Sequence, residues 1–264
     1  MMILRHMNIR TFFRFRQVNL RARELSAAIK EYKTIAKYAL GAVRALLRTK
    51  RARVTLNDLY QELQSDRCKS CHGFGGLLFL FTAQRCCFNC LLNSRKYHVM
   101  GLDAFCETAN VTQEVLCQYP TLRTVPGEYD KETPLLLRRP DRLVLVGTTT
   151  KSLVKAGVID KSTRQKLARR KSPKEYRAMT ATPFPSYDPN TDKLDRGVCC
   201  DGCRFRLEDM SGSELDFDST WGDEIDELDG FRWEEVINVF SREEFHSHYL
   251  ECDEAQGLWW DSIN

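Results

Sequence analysis

Residues Cys68-Lys-Ser-Cys71-His-Gly-Phe-Gly-Gly-Leu-Leu-Phe-Leu-Phe-Thr-Ala-Gln-Arg-Cys86-Cys87-Phe-Asn-Cys90 carry two CxxC pairs on either side of a continuous apolar run. A CxxC pair makes a tight knuckle that offers two thiolates to one ion, and the fifteen residues between Cys71 and Cys87 fall within the spacing of a four-thiolate zinc site. Cys68, Cys71, Cys87 and Cys90 are therefore the expected ligands. Cys86 adjoins Cys87 and competes with it, but CxxC spacing favours Cys87. Gly73, Gly75 and Gly76 are expected to supply positive-φ positions in the turn, and Leu77 to Thr82 to form a strand between the pairs. Four ordinary buried cysteines are the bland alternative, and they leave the two matched spacings unexplained.

A second constellation lies near the end of the chain. Cys200-Asp-Gly-Cys203 is a third CxxC, and 44 residues later comes His248-Tyr-Leu-Glu-Cys252. On a helix, positions 248 and 252 are one turn apart on one face, so Cys200, Cys203, His248 and Cys252 are the expected ligands of a second zinc. His246 is the competitor, rotated away by its two-residue offset. The remaining cysteines are Cys86, Cys106, Cys117 and Cys199, with Cys106 and Cys117 expected as core thiols on apolar helical faces.

The chain has 264 residues, 42% of them hydrophobic, with eleven cysteines. An odd count with no apolar secretory segment ahead of it points to metal ligation in a reducing, intracellular compartment, cytoplasm or nucleus, rather than to a disulfide scaffold. No apolar run is long enough to span a bilayer. The first 23 residues lack acids like a mitochondrial presequence, but Thr11 is their only hydroxylated residue and their periodicity continues beyond any cleavage point. No HExxH, GxSxG, Walker or dinucleotide-binding pattern occurs, and a complete four-ligand zinc set leaves no open position, so no enzyme activity and no catalytic residue are expected. Asp188-Pro-Asn-Thr-Asp192 fails as a calcium loop, with Lys193 at its sixth position and Cys199 at its twelfth.

The net charge of +4 conceals a division. Residues 1–53 hold fourteen Lys/Arg against Glu24 and Glu31, net +12, whereas residues 207–264 hold eighteen Asp/Glu against Arg232 and Arg242, net −16. Phe12, Phe15, Val18, Ala22, Leu25 and Ile29 recur at helical steps, and Tyr32, Ile35, Ala39, Ala42, Val43 and Leu46 continue the period. Thr55 and Asp58 form a capping box ahead of a short amphipathic helix. Leu102 to Gln118 is helical with a break near Asn110, Arg142 to Val146 reads as a strand, and Ser152 to Arg170 as a basic helix or helix pair. Pro173, Pro183, Pro185 and Pro189 give residues 171–197 linker composition.

The expected fold is α+β, mainly α-helical, with zinc-stabilised modules carrying short strands. Its parts are helices over 1–53, a helix plus the first zinc module over 54–100, a helical middle over 101–170, a linker over 171–197 and a Cys/His module over 198–264. A disordered acidic insertion, 208–229, is expected inside the last, poised to fold back on the basic helices.

Ile9 to Tyr32, IRTFFRFRQVNLRARELSAAIKEY, resembles the second half of an F-box, with Phe12, Phe13, Arg14, Phe15, Arg16, Val18, Asn19, Arg21, Ala22, Arg23 and Leu25 matching where they stand. The stretch Cys68 to Leu80, Arg85 to Leu91, and Phe240 to Trp259 resemble the cysteine-rich parts of a group of fungal F-box proteins. The resemblance implies a helical unit that docks on the Skp-type adaptor of a cullin ubiquitin ligase, with the rest of the chain recruiting a protein substrate. Ile3, Leu4, Met7, Phe12, Phe13, Phe15 and Val18 would be the adaptor-facing residues. The family's opening LPxE helix is missing ahead of Ile9, so weakened docking is expected. The rival reading is a zinc-containing nucleic-acid-binding protein using the basic N-terminal helices; the aromatics there fall on the apolar face, where core packing accounts for them, so nucleic acid is not the expected partner.

Overall fold

A computed structural model describes residues 2–125, 140–202 and 239–263. The chain is a mainly helical α+β protein with small antiparallel sheets. Among the described residues no helix is long and apolar enough to cross a membrane.

Six short helices lead: α1 (Met2–His6), α2 (Ile9–Arg16), α3 (Leu20–Ala27), α4 (Lys30–Tyr38), α5 (Leu40–Arg48) and α6 (Leu56–Leu63). Their starts are written in the sequence. The side chain of Asn8 accepts from the Thr11 amide at 2.8 Å and that of Asn19 from the Ala22 amide at 2.7 Å. Thr55 and Asp58 exchange side-chain and backbone bonds at 3.1 and 3.2 Å, the capping box expected there. Asn19 explains why the apolar stripe is not one helix. As an N-cap it leaves the helical backbone to satisfy a free N–H, and the break turns Val18 out to solvent, 69% exposed.

After α6 the chain runs through β1 (Leu77–Phe79), β2 (Gln84–Cys86), α7 (Phe88–Asn93), a 3-10 turn (Arg95–Tyr97), β3 (Val99–Gly101), α8 (Leu102–Ala109), α9 (Gln113–Leu116) and β4 (Thr121–Arg123). Asn110 ends α8 in the left-handed region at φ 51°, which places the helix break where the spacing expected it. Then follow β5 (Arg142–Leu145), α10 (Val146–Lys155), α11 (Lys161–Arg169), α12 (Lys174–Ala178), β6 (Ala181–Pro183), β7 (Ser186–Asp188), β8 (Lys193–Asp195), β9 (Val198–Cys199), β10 (Val239–Phe240), α13 (Arg242–Glu251) and α14 (Asp253–Ile263). The central sheet has the order β2-β1-β6, pairing Leu78 with Arg85 on one side and Thr182 on the other. A second sheet, β3-β5-β4, pairs Val144 with Met100 and Thr121.

One core takes in Ile9, Phe12, Ile35, Leu46, Leu56 and Leu63 from the N-terminal helices together with β1, Tyr97 and Phe184. The expected boundary at residue 53 therefore divides nothing: the Ile9 amide donates to the Val54 carbonyl at 2.9 Å and Asn8 bridges to Thr55. A second core joins Met100, Phe105, Val144, Leu153, Ile159 and Leu167.

The linker expected over 171–197 is corrected. Its middle is β6, the edge strand of the central sheet, where Pro183 is tolerated because an edge strand leaves N–H positions unpaired. Pro189 belongs to the turn of the β7–β8 hairpin, where Asp188 accepts from the Asn190 amide at 2.9 Å and the Thr191 hydroxyl at 2.8 Å. Turn chemistry and linker chemistry use the same residues. What separates them here is the burial of Thr180, Ala181 and Phe184. The acidic insertion, 208–229, and its folding back lie outside the described residues.

Candidate metal centres

The first centre grows from the turn after α6 and the β1–β2 hairpin. The Cys68 amide donates to the Gly73 carbonyl at 2.8 Å, the His72 amide to the Cys68 carbonyl at 3.0 Å, and the Gly75 amide to the Asp66 carbonyl at 2.7 Å, which closes the first knuckle. The hairpin then returns the chain so that Cys87 sits at the N-cap of α7 and Cys90 in its first turn. Backbone amides point at sulfur in both knuckles, Ser70 to Cys68 at 3.4 Å and Cys90 to Cys87 at 3.3 Å. All four sulfurs lie within 4.8 Å of one another, with Cys71 and Cys87 3.6 Å apart. This group can hold a metal ion.

The glycines act differently from expectation. The positive φ of the first knuckle is at His72, 64°, and not at Gly73, Gly75 or Gly76. Gly75 and Gly76 are needed for closeness: a Cβ on Gly75 would stand 2.9 Å from the Cys68 nitrogen, and one on Gly76 2.7 Å from Val239 Cγ1.

Burial raises a thiol's pKa, because the thiolate loses solvation, whereas amide donors lower it. At Cys68 burial pushes upward, yet donors from Cys71, Ser70 and Cys87 prevail and hold it at about 7. At Cys87 burial wins and the thiol is pushed well up, and at Cys90 burial raises it to about 11. Cys86 is fully buried in β2 and stays outside the group, and burial pushes its thiol far up.

Arg85, beside these cysteines, is a residue that spacing alone did not single out. It is 0% exposed, donating through Nη1 to the Gly75 and Phe184 carbonyls at 2.7 and 2.8 Å, through Nη2 to the Pro185 carbonyl, and through Nε to the Glu62 carbonyl at 2.9 Å. Burial lowers its pKa to about 10, with Glu62 opposing. One guanidinium thus clamps α6, the first knuckle and the segment after β6. The only sequence signal for it is an arginine in a strand facing apolar neighbours.

The second centre joins Cys200, just after β9, His248 on α13 and Cys252. Their ligand atoms also lie within 4.8 Å of one another, and the Cys200 and Cys252 sulfurs are 3.9 Å apart. Cys203 lies outside the described residues. The route differs from a single helical turn: α13 ends at Glu251 and Cys252 is its extended C-cap at φ −107°, ψ 98°. His248 is aligned by stacking on Phe240, ring centres 4.5 Å apart. His246 stays outside the group.

Glu244 links the centres. One carboxylate oxygen accepts from the Ser241 amide at 3.0 Å, capping α13, and the other from the Phe74 amide at 3.1 Å, inside the first knuckle's loop.

The remaining expected positions scatter. Phe12 is 0% exposed, packed on Phe13 and Tyr32, so it is corrected from an adaptor contact to a core residue. Leu4, Met7 and Phe13 pack partly against the same core, Phe15 is half-buried, and Ile3 and Val18 are exposed. Cys106 is half-buried against the second core, but Cys117, expected there too, is exposed because α9 stops one residue before it. Cys199 is exposed in β9. No family model matches the chain, and neither curated proteins nor solved structures give a match.

Proposed function

We propose that this chain is an F-box-type adaptor, a substrate receptor of a cullin-based ubiquitin ligase, with zinc as structural staple and no chemistry of its own. The observation that carries the reading is the apolar outer face of the segment with the F-box resemblance: Ile3, Val18 and Leu20 are 78%, 69% and 73% exposed on and beside α1 to α3. Bulky aliphatic side chains left in water beside a filled core suit a partner-facing surface, and a Skp-type adaptor is the partner that the resemblance implies.

Zinc is supported by donor chemistry and size. Thiolates and imidazole are soft donors that suit zinc, and a tetrahedral site with Zn–S near 2.3 Å sets sulfurs about 3.8 Å apart. The separations of 3.6 and 3.9 Å bracket that value. With four protein ligands at the first centre, the ion there is a cross-link rather than a Lewis acid.

A pull-down with a Skp-type adaptor tests the main reading. Val18→Glu together with Leu20→Glu should cut capture at least tenfold while zinc content stays constant. Undiminished capture by the folded double variant, or no capture by the native chain, would refute adaptor docking through this face.

A further inference from the structure

The second core supports a feature that neither the cysteine centres nor the F-box resemblance uses. Helices α10 and α11 are joined by Ala156 to Ile159. Gly157 takes φ 71°, the Gly157 amide donates to the Val154 carbonyl at 3.1 Å and the Val158 amide to the Leu153 carbonyl at 2.9 Å, a tight C-terminal turn. Asp160 then caps α11 by accepting from the Thr163 amide at 2.7 Å. Leu153, Ile159 and Leu167 are buried with Phe105 of α8, and Arg170 donates to the Thr108 hydroxyl at 2.6 Å, so α11 is seated on both α8 and α10. Two helices, a short glycine-bearing turn and a third helix behind them have the connectivity of a helix-turn-helix unit.

Its outer face is basic. Residues 151–171 hold eight Lys/Arg and one acid, Asp160, net +7. Only Leu167 is buried in α11, so eight of its nine residues keep their side chains partly or wholly in solvent. Among the described residues Lys151, Lys155, Lys161, Arg164, Lys166 and Arg169 have no ion-pair partner. The acids of the adjoining α8 and α9 do not neutralise them: Asp103 accepts from Gln113 at 2.6 Å, Glu114 faces Thr112, and Glu107 is exposed.

We infer that α10 and α11 form a duplex-DNA-binding surface, α11 entering the major groove and flanking cations meeting phosphates. A helix of about 10 Å diameter fits a groove about 12 Å wide. Arg164 and Gln165 have side chains able to read guanine and adenine edges. Acidic protein partners also suit positive charge, but a helix whose side chains reach solvent at eight of nine positions suits a groove that surrounds it better than a flat surface. This is a different face from the N-terminal helices, whose aromatics serve the core, and it does not depend on adaptor docking.

The test is fluorescence anisotropy of the full chain with a labelled random-sequence 20-base-pair duplex over a salt series. The variant Lys161→Ala, Arg164→Ala, Lys166→Ala, Arg169→Ala keeps Asp160 and Leu167 and should fold, as circular dichroism will show. It should bind at least tenfold more weakly, with a log-affinity against log-salt slope shallower by about three to four. A matched variant of the N-terminal face, Arg10→Ala, Arg14→Ala, Arg21→Ala, Arg23→Ala, should bind DNA within about twofold of native. Equal affinity of the native and α11 variants would overturn the inference. So would losses equal to those of the N-terminal variant, or capture by anionic phosphatidylserine vesicles without binding to the duplex.

Discussion

The two cysteine centres have nearly the same sulfur separations, but the first is all thiol and the second includes the imidazole of His248, and they are built differently. The first draws its ligands from 23 consecutive residues, hung on a hairpin whose strands lie in the principal core. The second draws Cys200 and Cys252 from opposite ends of a 52-residue separation and, among the described residues, rests on a cluster of three buried ones, Cys200, Cys252 and Ala255. A metal held at the first centre would reinforce a frame that the chain already makes. At the second, a metal would join ligands far apart in sequence beside a small described cluster, so ligation is expected to supply much of the local order.

The largest effect should separate the centres. Cys68→Ser places an altered ligand in the main core and should remove more than about 3 kcal/mol of stability with loss of one zinc. Cys252→Ser should also lose one zinc, yet denature locally. Hydrogen exchange should quicken over 239–263 while α4, α6 and β1 stay protected, and equal global destabilisation by both variants would erase the distinction. Next comes Arg85→Ala, which leaves three backbone carbonyls without a donor and severs the clamp between α6 and the segment after β6. A cost of about 3 kcal/mol is expected in denaturant melts, with Arg85→Lys recovering only part because one ammonium cannot span the fork.

Glu244→Ala sharpens the comparison by cutting the bond from the first loop to the start of α13. It should cost about 1 kcal/mol and speed exchange of the Phe74 amide with both zinc ions retained. The smallest effect is one of pH. His98, buried beside the scaffold of the first centre, has its pKa pushed below 6.5 by burial and then by Arg177. The unfolded chain therefore binds a proton that the folded chain refuses, so stability contributed by neutral His98 is complete above 6.5 and falls as the pH drops below it. Comparing native protein with His98→Gln between pH 5.5 and 7.5, the variant should show the flatter melting profile; identical slopes would remove His98 from the account.

Much of this was legible from local signals. The cap at Thr55, the break at Asn110, the strand within Leu77 to Thr82 and the paired CxxC spacings follow from short-range chemistry, since a cap or a knuckle is completed by residues three or four apart. Val18 and Phe12 share a stripe in sequence yet end on opposite sides of the surface, because periodicity does not reveal where Asn19 interrupts the helix. The prolines of 171–197 are ambiguous for a related reason. Their composition suits a linker or an edge strand with a hairpin, and the strand β1 that selects between them is a hundred residues away.

The sequence alone thus determined the helical character, the division of charge and which cysteines pair into knuckles, because these depend on neighbours along the chain. Tertiary structure decided that one core unites residues 9 to 187, that Arg85 and Glu244 bind distant segments together, and that β9 and α13 meet to place Cys200 beside His248 and Cys252. The physical reason is that burial and long-range hydrogen bonds are properties of pairs of segments, and no single segment carries the information about its partner.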